Sequence, residues 1–183
     1  MADQDDALKT VRARIRTVPD FPKPGISYKD ITPLIEDGAA LHAATAALHR
    51  ATAHLGYDRI LSAEARGFVF GTALAYRSRK GLLLARKPNK LPRETVSATY
   101  DLEYGTDTLE AHADSIGGGA RVLVCDDLLA TGGTARAMCD LVENAGGTVA
   151  GVAFLIELGY LHGRDRLTPY EVVSLVNYAT PDD

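Results

Sequence analysis

The chain has 183 residues, of which 46% are hydrophobic and 24% charged, and its formal net charge at pH 7 is −4. This length and composition predict one globular domain and exclude a disordered or fibrous chain. The acidic balance argues against a broad nucleic-acid surface, and no apolar run approaches the roughly 18 residues of a membrane helix. The charged first twenty residues do not fit a signal peptide, so we expect a cytoplasmic protein. Cys125 and Cys139 suggest neither a zinc site nor a disulfide framework, and we expect both to be reduced packing residues.

The spacing of apolar residues predicts the secondary structure along the chain. Residues 1–36 are expected to form a short amphipathic helix and an irregular, proline-broken arm. Two units with alternating helices and strands follow, and a late strand completes the pattern. The predicted elements after the arm are a helix over 37–55, a strand over 59–63, a helix over 67–79, a buried strand over 81–85, a strand over 121–125, a helix over 134–144, and strands over 148–156 and 172–176.

This alternation predicts an α/β fold with a central, mostly parallel sheet flanked by helices, in a single domain over 1–183. Ligands of such sheets bind outside the carboxyl ends of the strands, which places the site after Ala63, Ala85 and Cys125. Residues 87–119 interrupt the pattern with weak alternation and many polar residues. We interpret them as a mobile loop or hairpin that serves as a lid.

The strongest chemical signal is an apolar strand that leads into two acids and a small-residue turn before a helix, over residues 122–134. Backbone N–H groups at the start of that helix would cradle a phosphate, helped by the threonine hydroxyls. Asp126 and Asp127 would repel a phosphate, so we expect them to accept hydrogen bonds from sugar hydroxyls or to help hold Mg²⁺. The predicted ligand is a ribose 5-phosphate, bound by Asp126, Asp127, Ala130, Thr131, Gly132, Gly133 and Thr134.

Other kinds of site find little support in the sequence. No Gly-x-x-x-x-Gly-Lys-Ser/Thr motif occurs, and the run of glycines at 117–119 precedes a strand instead of following one. Neither an NTPase nor a dehydrogenase is therefore indicated. His42, His49 and His54 share a helix but not the spacing of three or four residues that a shared metal needs, so we assign them no function.

The 122–134 motif resembles the signature of the type I phosphoribosyltransferases, and Ala130 resembles their adenine-specific branch, where the 6-oxopurine branch has an aspartate. The resemblance extends to residues 18–33, 64–68, 86–92 and 102–105. It implies this family's fold, with a small N-terminal hood formed by residues 1–36 and a flexible catalytic loop within 87–119. It also implies transfer of the 5-phosphoribosyl group of phosphoribosyl pyrophosphate to N9 of adenine, giving AMP and pyrophosphate. Mg²⁺ would arrive with phosphoribosyl pyrophosphate, and the protein would be a homodimer.

The resemblance also assigns residues to the leaving group. Arg66, Lys87 and Lys90 would bind pyrophosphate and take up its charge as the bond to the sugar breaks. The planar guanidinium of Arg66 suits bidentate phosphate contact. The alternative for Arg66 is a surface ion pair with Glu64.

The base and its proton are assigned in the same way. Because Ala130 cannot accept a proton, the resemblance makes Glu103 the catalytic carboxylate for proton handling, with Tyr104 closing over the site. The arm would present adenine with backbone groups and apolar surface at Ile26, Ser27 and Lys29. Lys29 replaces a frequent arginine there, which favours a backbone contact over a side-chain role.

Two other functions stay open at this point. The same fold could act on a 6-oxopurine or a pyrimidine, against which Ala130 and the proline-rich arm argue. It could also sense phosphoribosyl pyrophosphate without catalysis, as a regulator. Such a regulator would ordinarily carry a DNA-binding extension, and the acidic chain has no basic recognition helix.

Overall fold

The computed structural model describes residues 2–102, 105–181 and 183. In the described part of the chain, no helix combines the length and the apolar character that crossing a membrane demands. In chain order the helices and strands are α1 (Ala2–Ala13), β1 (Arg16–Pro19), β2 (Ser27–Asp30), α2 (Thr32–Glu36), α3 (Gly38–Thr52), β3 (Arg59–Ala63), α4 (Gly67–Ser78), β4 (Gly81–Ala85), β5 (Thr95–Leu102), β6 (Gly105–His112), α5 (Ala113–Ile116), β7 (Arg121–Leu129), α6 (Gly133–Asn144), β8 (Thr148–Leu158) and β9 (Val172–Tyr178).

Five parallel strands form the central sheet in the order β4-β3-β7-β8-β9. Alternate residues of β7 face opposite cores: Leu123 belongs to the core with α3 and α4, and Val124 to the core with α6. The predicted parallel sheet flanked by helices is confirmed. The chain moves outward from β3 to β4 in one direction and from β7 to β8 in the other, so a crevice opens between the carboxyl ends of β3 and β7.

Local signals in the sequence set the ends of α3. The side chain of Asp37 accepts hydrogen bonds from the backbone N–H groups of Ala39 and Ala40, at 3.0 and 3.1 Å, and thereby caps the helix. A 3₁₀ turn over Ala53–Leu55 follows the helix, and Gly56 then adopts a left-handed conformation with φ of +62°. These features match the predicted start and stop of this helix.

Two parts of the predicted fold are wrong in detail. The strand over 81–85 is an edge strand in which only Ala85 is buried, and Leu84 is 39% exposed. Its apolar run resembles a buried strand because sequence does not reveal which strand lies at the sheet edge. The arm is also more regular than predicted: β1 and β2 pair antiparallel, from Arg16 with Asp30 to Pro19 with Ser27. The prolines lie at the end of this ribbon and in its connection, where no ladder hydrogen bond is needed.

An antiparallel hairpin occupies most of the segment over 87–119. Strands β5 and β6 pair from Thr95 with His112 to Leu102 with Gly105. Leu109 and Ala111 are buried in the core that contains α6. The base of the hairpin is therefore packed on the domain, next to the carboxyl ends of the strands.

Candidate active site

A cavity of about 290 Å³ opens at the carboxyl ends of β3 and β7. Its walls come from four segments: the turn after β3, the chain just beyond β4, the hairpin, and the end of β7 with the start of α6. The lining includes nine of the predicted site residues, namely Arg66, Lys87, Asp126, Asp127, Ala130, Thr131, Gly132, Gly133 and Thr134. The structure thus brings together residues that are up to 68 positions apart in the sequence (Arg66 to Thr134).

The turn over residues 130–134, which we call the phosphate loop, leads directly into α6. Gly132 has φ of +85° and Gly133 is the first residue of the helix, and both are buried. No side chain caps this helix start. Its first backbone N–H groups and the positive end of the helix dipole therefore face the cavity and suit an anion.

Two carboxylates lie at the floor of the cavity, where Asp126 is 8% and Asp127 5% exposed. They belong to β7 itself, which continues to Leu129 beyond the predicted end at Cys125. The strand continues because β8 pairs with it as far as Leu129, whereas β3 pairs with it only as far as Cys125. The two acids therefore lie where the neighbouring strand has ended and the crevice begins.

Burial dominates the electrostatics of this acid pair. It raises the pKa of Asp126 well above its usual value, with a further contribution from the charge of Asp127. Burial also raises the pKa of Asp127, and the nearby positive charge of Arg66 opposes that change. Nε of Arg66 lies 3.0 Å from Oδ2 of Asp127, but the geometry is that of an ion pair without a hydrogen bond.

Arg66 links the floor of the cavity to the N-terminal arm. Its guanidinium donates a hydrogen bond to the hydroxyl of Tyr28 and lies 5.5 Å from the centre of that ring. The alternative pairing of Arg66 with Glu64 does not form. Glu64 instead accepts hydrogen bonds from the side chain of Arg86, at 2.9 and 3.1 Å, and from the backbone N–H of Lys87, at 2.6 Å.

The two lysines predicted for pyrophosphate differ in position. Lys87 lines the cavity, and its ammonium forms an ion pair with Asp107 of β6, whose Oδ2 also accepts a hydrogen bond from Tyr100 at 3.3 Å. Burial disfavours the charged form of Lys87 and acts to lower its pKa. The contact with Asp107 acts in the other direction, and the pKa of Lys87 is raised as a result. Lys90 is exposed and does not line the cavity, and its carbonyl accepts a hydrogen bond from Arg86. The structure does not bring Lys90 to the predicted position.

The residues predicted to bind the base lie in the arm, outside this cavity. Ile26 and Ser27 line a separate groove of about 330 Å³, and Oγ of Ser27 donates to the carbonyl of Pro181 at 2.7 Å. The ammonium of Lys29 is buried and donates to the carbonyl of Asp183 at 2.8 Å. The Lys29 side chain therefore fastens the arm to the C-terminal segment, which leaves its backbone as the group that could meet a base.

Sequence reasoning missed four residues at the site. Tyr28 lies beside Arg66 and makes an edge-to-face contact with Phe21, with ring centroids 5.0 Å apart. Glu64 and Tyr100 line the cavity beside Lys87, and Asp107 holds the Lys87 ammonium. Tyr100 and Asp107 are cross-strand partners, so only the register of the hairpin would have revealed the pair. The predicted catalytic residues Glu103 and Tyr104 lie outside the described residues.

Comparison with known sequences gives a consistent result. Residues 29–181 match the family model of the phosphoribosyl transferase domain. The adenine phosphoribosyltransferase of Rubrobacter xylanophilus is 69% identical over 175 residues, which cover 95% of each chain. That of Desulfitobacterium hafniense is 55% identical over 164 residues, which cover 90% of this chain and 95% of the relative.

Solved structures give the same family of neighbours. The adenine phosphoribosyltransferase of Thermoanaerobacter pseudethanolicus aligns with a TM-score of 0.91 and 48% identity, over 93% of this chain and 99% of the other. The enzyme of Saccharomyces cerevisiae, complexed with an imino-altritol bisphosphate and adenine, aligns with a TM-score of 0.88 and 33% identity, over 93% of this chain and 99% of the other.

Proposed function

The chain belongs to the phosphoribosyl transferase family, and we propose that it transfers the 5-phosphoribosyl group of phosphoribosyl pyrophosphate to N9 of adenine, giving AMP and pyrophosphate. It has the type I phosphoribosyltransferase fold. The observation that carries the proposal is the joining of a phosphate loop, a buried acid pair and Arg66 in one cavity. The reported relatives are all adenine enzymes, which supports neither another base nor a non-catalytic sensor.

The phosphate loop and the acid pair divide the work of binding the sugar. The 5-phosphate accepts hydrogen bonds from backbone N–H groups of residues 130–134, where its charge meets the positive end of α6. The ribose hydroxyls donate to Asp126 and Asp127, which keeps the carboxylates away from the phosphate itself. Held in this way, C1 of the sugar points toward the side of the cavity that Arg66 and Lys87 line.

The residues at the floor of the cavity fit a magnesium ion that arrives with the substrate. Asp126 and Asp127 would hold it, either directly or through the sugar hydroxyls, and Oδ2 of Asp127 has no hydrogen-bond partner. In enzymes, Mg²⁺ is usually bound by one or two carboxylates of the protein together with phosphates of the substrate. When bound, the ion would neutralise charge on the departing pyrophosphate.

Two cations of the chain would serve the leaving group. As the bond between C1 and the pyrophosphate oxygen breaks, negative charge grows on pyrophosphate, and the guanidinium of Arg66 meets it. Lys87 would exchange its contact with Asp107 for the pyrophosphate. Lys90, exposed in this structure, would join them only after a movement of the segment that follows β4.

The base approaches from the arm and forms the bond between N9 and C1. N9 of adenine then loses its proton, and we propose that Glu103 accepts it while Tyr104 closes the site. Adenine would rest on the arm near Tyr28, with backbone groups around Ile26, Ser27 and Lys29 reading its edge. Ala130 supplies no carboxylate toward the base, which favours adenine over a 6-oxopurine.

The assembly and location of the enzyme are also proposals. We propose a homodimer, which is supported by exposed apolar groups on α4 and on the edge strand β4, where Tyr76 is 89% and Leu84 39% exposed. We propose the cytoplasm because both cysteines, Cys125 and Cys139, are buried and unpaired. Light scattering of the purified protein tests the dimer directly.

The decisive experiment measures AMP formed from phosphoribosyl pyrophosphate and adenine, with hypoxanthine and guanine as control bases. A 6-oxopurine presents an acceptor where adenine presents a donor, so a backbone carbonyl of the arm that accepts from adenine would face an acceptor instead. We expect kcat/KM for adenine to exceed that for either control by at least about 10²-fold. Comparable rates with hypoxanthine would remove the adenine assignment and leave the phosphoribosyl site in place.

A further inference from the structure

A 3₁₀ turn over Gly163–Leu167, which we call the backing turn, lies directly behind the phosphate loop. A Cβ atom added to Gly163 would overlap the carbonyl oxygen of Ala130 and lie 2.9 Å from the backbone nitrogen of Gly132. A Cβ atom added to Gly132 would in turn overlap the carbonyl oxygen of Gly163. The two backbones are therefore in direct contact, with no side chain between them that could yield.

The backing turn is itself fixed to the sheet by one arginine. Arg164 binds both carboxylate oxygens of Glu157, at 2.9 and 2.5 Å, and donates to the carbonyl of Val172 at 2.8 Å. Ser174 of β9 donates to the same carboxylate at 2.5 Å. Glu157 is only 5% exposed, and the contact with Arg164 lowers its pKa.

The location of this ion pair connects it to the phosphate loop. Glu157 lies on β8 opposite Leu129, the last residue of β7 before the loop. Arg164 directly follows Gly163, the residue in backbone contact with the loop. The far end of the turn is held by Leu167, which is fully buried in the core with α6. The turn is thus fixed on both sides of its contact with the loop.

We propose that Glu157 and Arg164 are positioning residues for the 5-phosphate: their ion pair holds Gly163 against the phosphate loop and so fixes the N–H groups that bind the phosphate. The inference rests on the proposed function, because it assumes that the loop binds this phosphate. Neither residue lines the cavity. Their effect must therefore pass through the backbone of the loop, and a shift of about 1 Å in such a loop is enough to cost on the order of 10²-fold.

The test compares Arg164→Met and Glu157→Gln with the wild-type protein by calorimetric titration of AMP and by steady-state kinetics. We expect Arg164→Met to weaken AMP binding and to raise KM for phosphoribosyl pyrophosphate by on the order of 10-fold, with KM for adenine changed less than about 2-fold. Arg164→Lys keeps the charge but not the bidentate geometry, and should restore part of the affinity.

Arg121→Met is the matched control. Arg121 also binds backbone carbonyls, those of Gly56 at 2.8 Å and Leu55 at 2.9 Å, but it does so at the amino end of β7. The Arg121→Met variant should leave KM for phosphoribosyl pyrophosphate and KM for adenine unchanged. The proposal is overturned if Arg164→Met and Arg121→Met have equal effects. It is also overturned if Arg164→Met raises KM for both substrates in parallel, because the pair of Glu157 and Arg164 would then act only on overall structure.

A milder variant keeps the test decisive if Arg164→Met does not fold. Ser174→Ala removes one hydrogen bond to Glu157 and leaves the ion pair, and a selective rise of about 2- to 3-fold in KM for phosphoribosyl pyrophosphate is expected. Unchanged AMP affinity in a folded variant overturns the positioning role alone. If the wild-type protein neither binds AMP nor forms it, the proposed function itself fails.

Discussion

Arg66 lines the cavity together with the phosphate loop and contacts Tyr28 of the N-terminal arm, but the loop and the arm are built in different ways. The loop lies between a central strand and a helix, both of its glycines are buried, and Gly132 lies against the backing turn. The arm is a two-stranded ribbon outside the sheet, with Phe21 51% and Ile26 40% exposed. The part proposed to hold the sugar phosphate therefore has little freedom to move, whereas the part proposed for the base is more exposed to solvent.

This difference indicates which part of the ligand each region is suited to bind. A fixed set of N–H groups suits a ligand part that never changes, the 5-phosphate of both substrate and product. An exposed ribbon suits a base that must enter and leave. The ribbon contacts the rest of the protein through individual side chains. Tyr28 reaches Arg66, and Lys29 reaches the C-terminal segment. Substitutions in the two regions should consequently alter different kinetic constants.

The largest effect is expected at Gly132, and Gly146 provides a matched control. Both have positive φ, +85° and +77°, but a Cβ at Gly132 overlaps the backing turn, whereas nothing lies within 4 Å of one at Gly146. Gly132→Ala should weaken AMP and phosphoribosyl pyrophosphate together by more than about 10²-fold, because the loop must shift. Gly146→Ala should cost only about 1–2 kcal/mol of stability. Calorimetric titration measures the AMP affinity of each variant, and urea unfolding measures its stability. Equal AMP affinity in the two variants would contradict a rigid loop.

The next effect separates chemistry from binding. Glu103→Gln keeps the size of the side chain but removes the basic carboxylate, so kcat should fall about 10²-fold while the affinity for AMP changes modestly. Glu110→Gln is the control, since Glu110 lies in β6 and accepts a hydrogen bond from the backbone N–H of Asn89 at 3.1 Å. Single-turnover rates give the comparison. Near-normal turnover of Glu103→Gln would assign the proton to water or to another group.

The fold and the phosphate loop could be predicted because their signals are local. Apolar periodicity marks each strand and helix, and the order of strand, acid pair, small residues and helix is contiguous in the sequence. The remaining contacts depend on pairings between distant segments. The pairing of Lys87 with Asp107 needs the hairpin register, and the contact of Lys29 with Asp183 joins the two ends of the chain. Nothing in the neighbouring residues of either lysine signals its partner.

A smaller effect is expected at the junction of the two regions. Tyr28→Phe removes the hydroxyl that accepts a hydrogen bond from Arg66 and leaves the ring in place. KM for phosphoribosyl pyrophosphate should rise about 3- to 10-fold, as loss of one hydrogen bond with a charged donor implies, while adenine selectivity persists. Tyr57→Phe, whose hydroxyl lies 3.4 Å from Oγ1 of Thr52 and outside the cavity, is the control. An unchanged KM would mean that the arm does not orient Arg66.

The smallest effect concerns the stability of the protein in acid. We expect part of it to depend on Glu64, which directly follows β3. Hydrogen bonds from the backbone N–H of Lys87 and from Arg86 lower the pKa of Glu64 from 4.5. Because the folded pKa lies below the unfolded one, the ionised carboxylate stabilises the fold above about pH 4.5, and this contribution is lost as the pH falls through the folded value.

Urea unfolding of the wild-type protein and Glu64→Gln at pH 7, 5, 4 and 3 tests this sign. The raised pKa values of Asp126 and Asp127 act in the opposite direction, but they do so in both proteins and cancel in the difference. The wild-type advantage, about 1 kcal/mol at pH 7, should shrink as the pH falls below about 4.5. A difference that stays constant with pH would mean that Glu64 acts through its hydrogen bonds alone, without its charge.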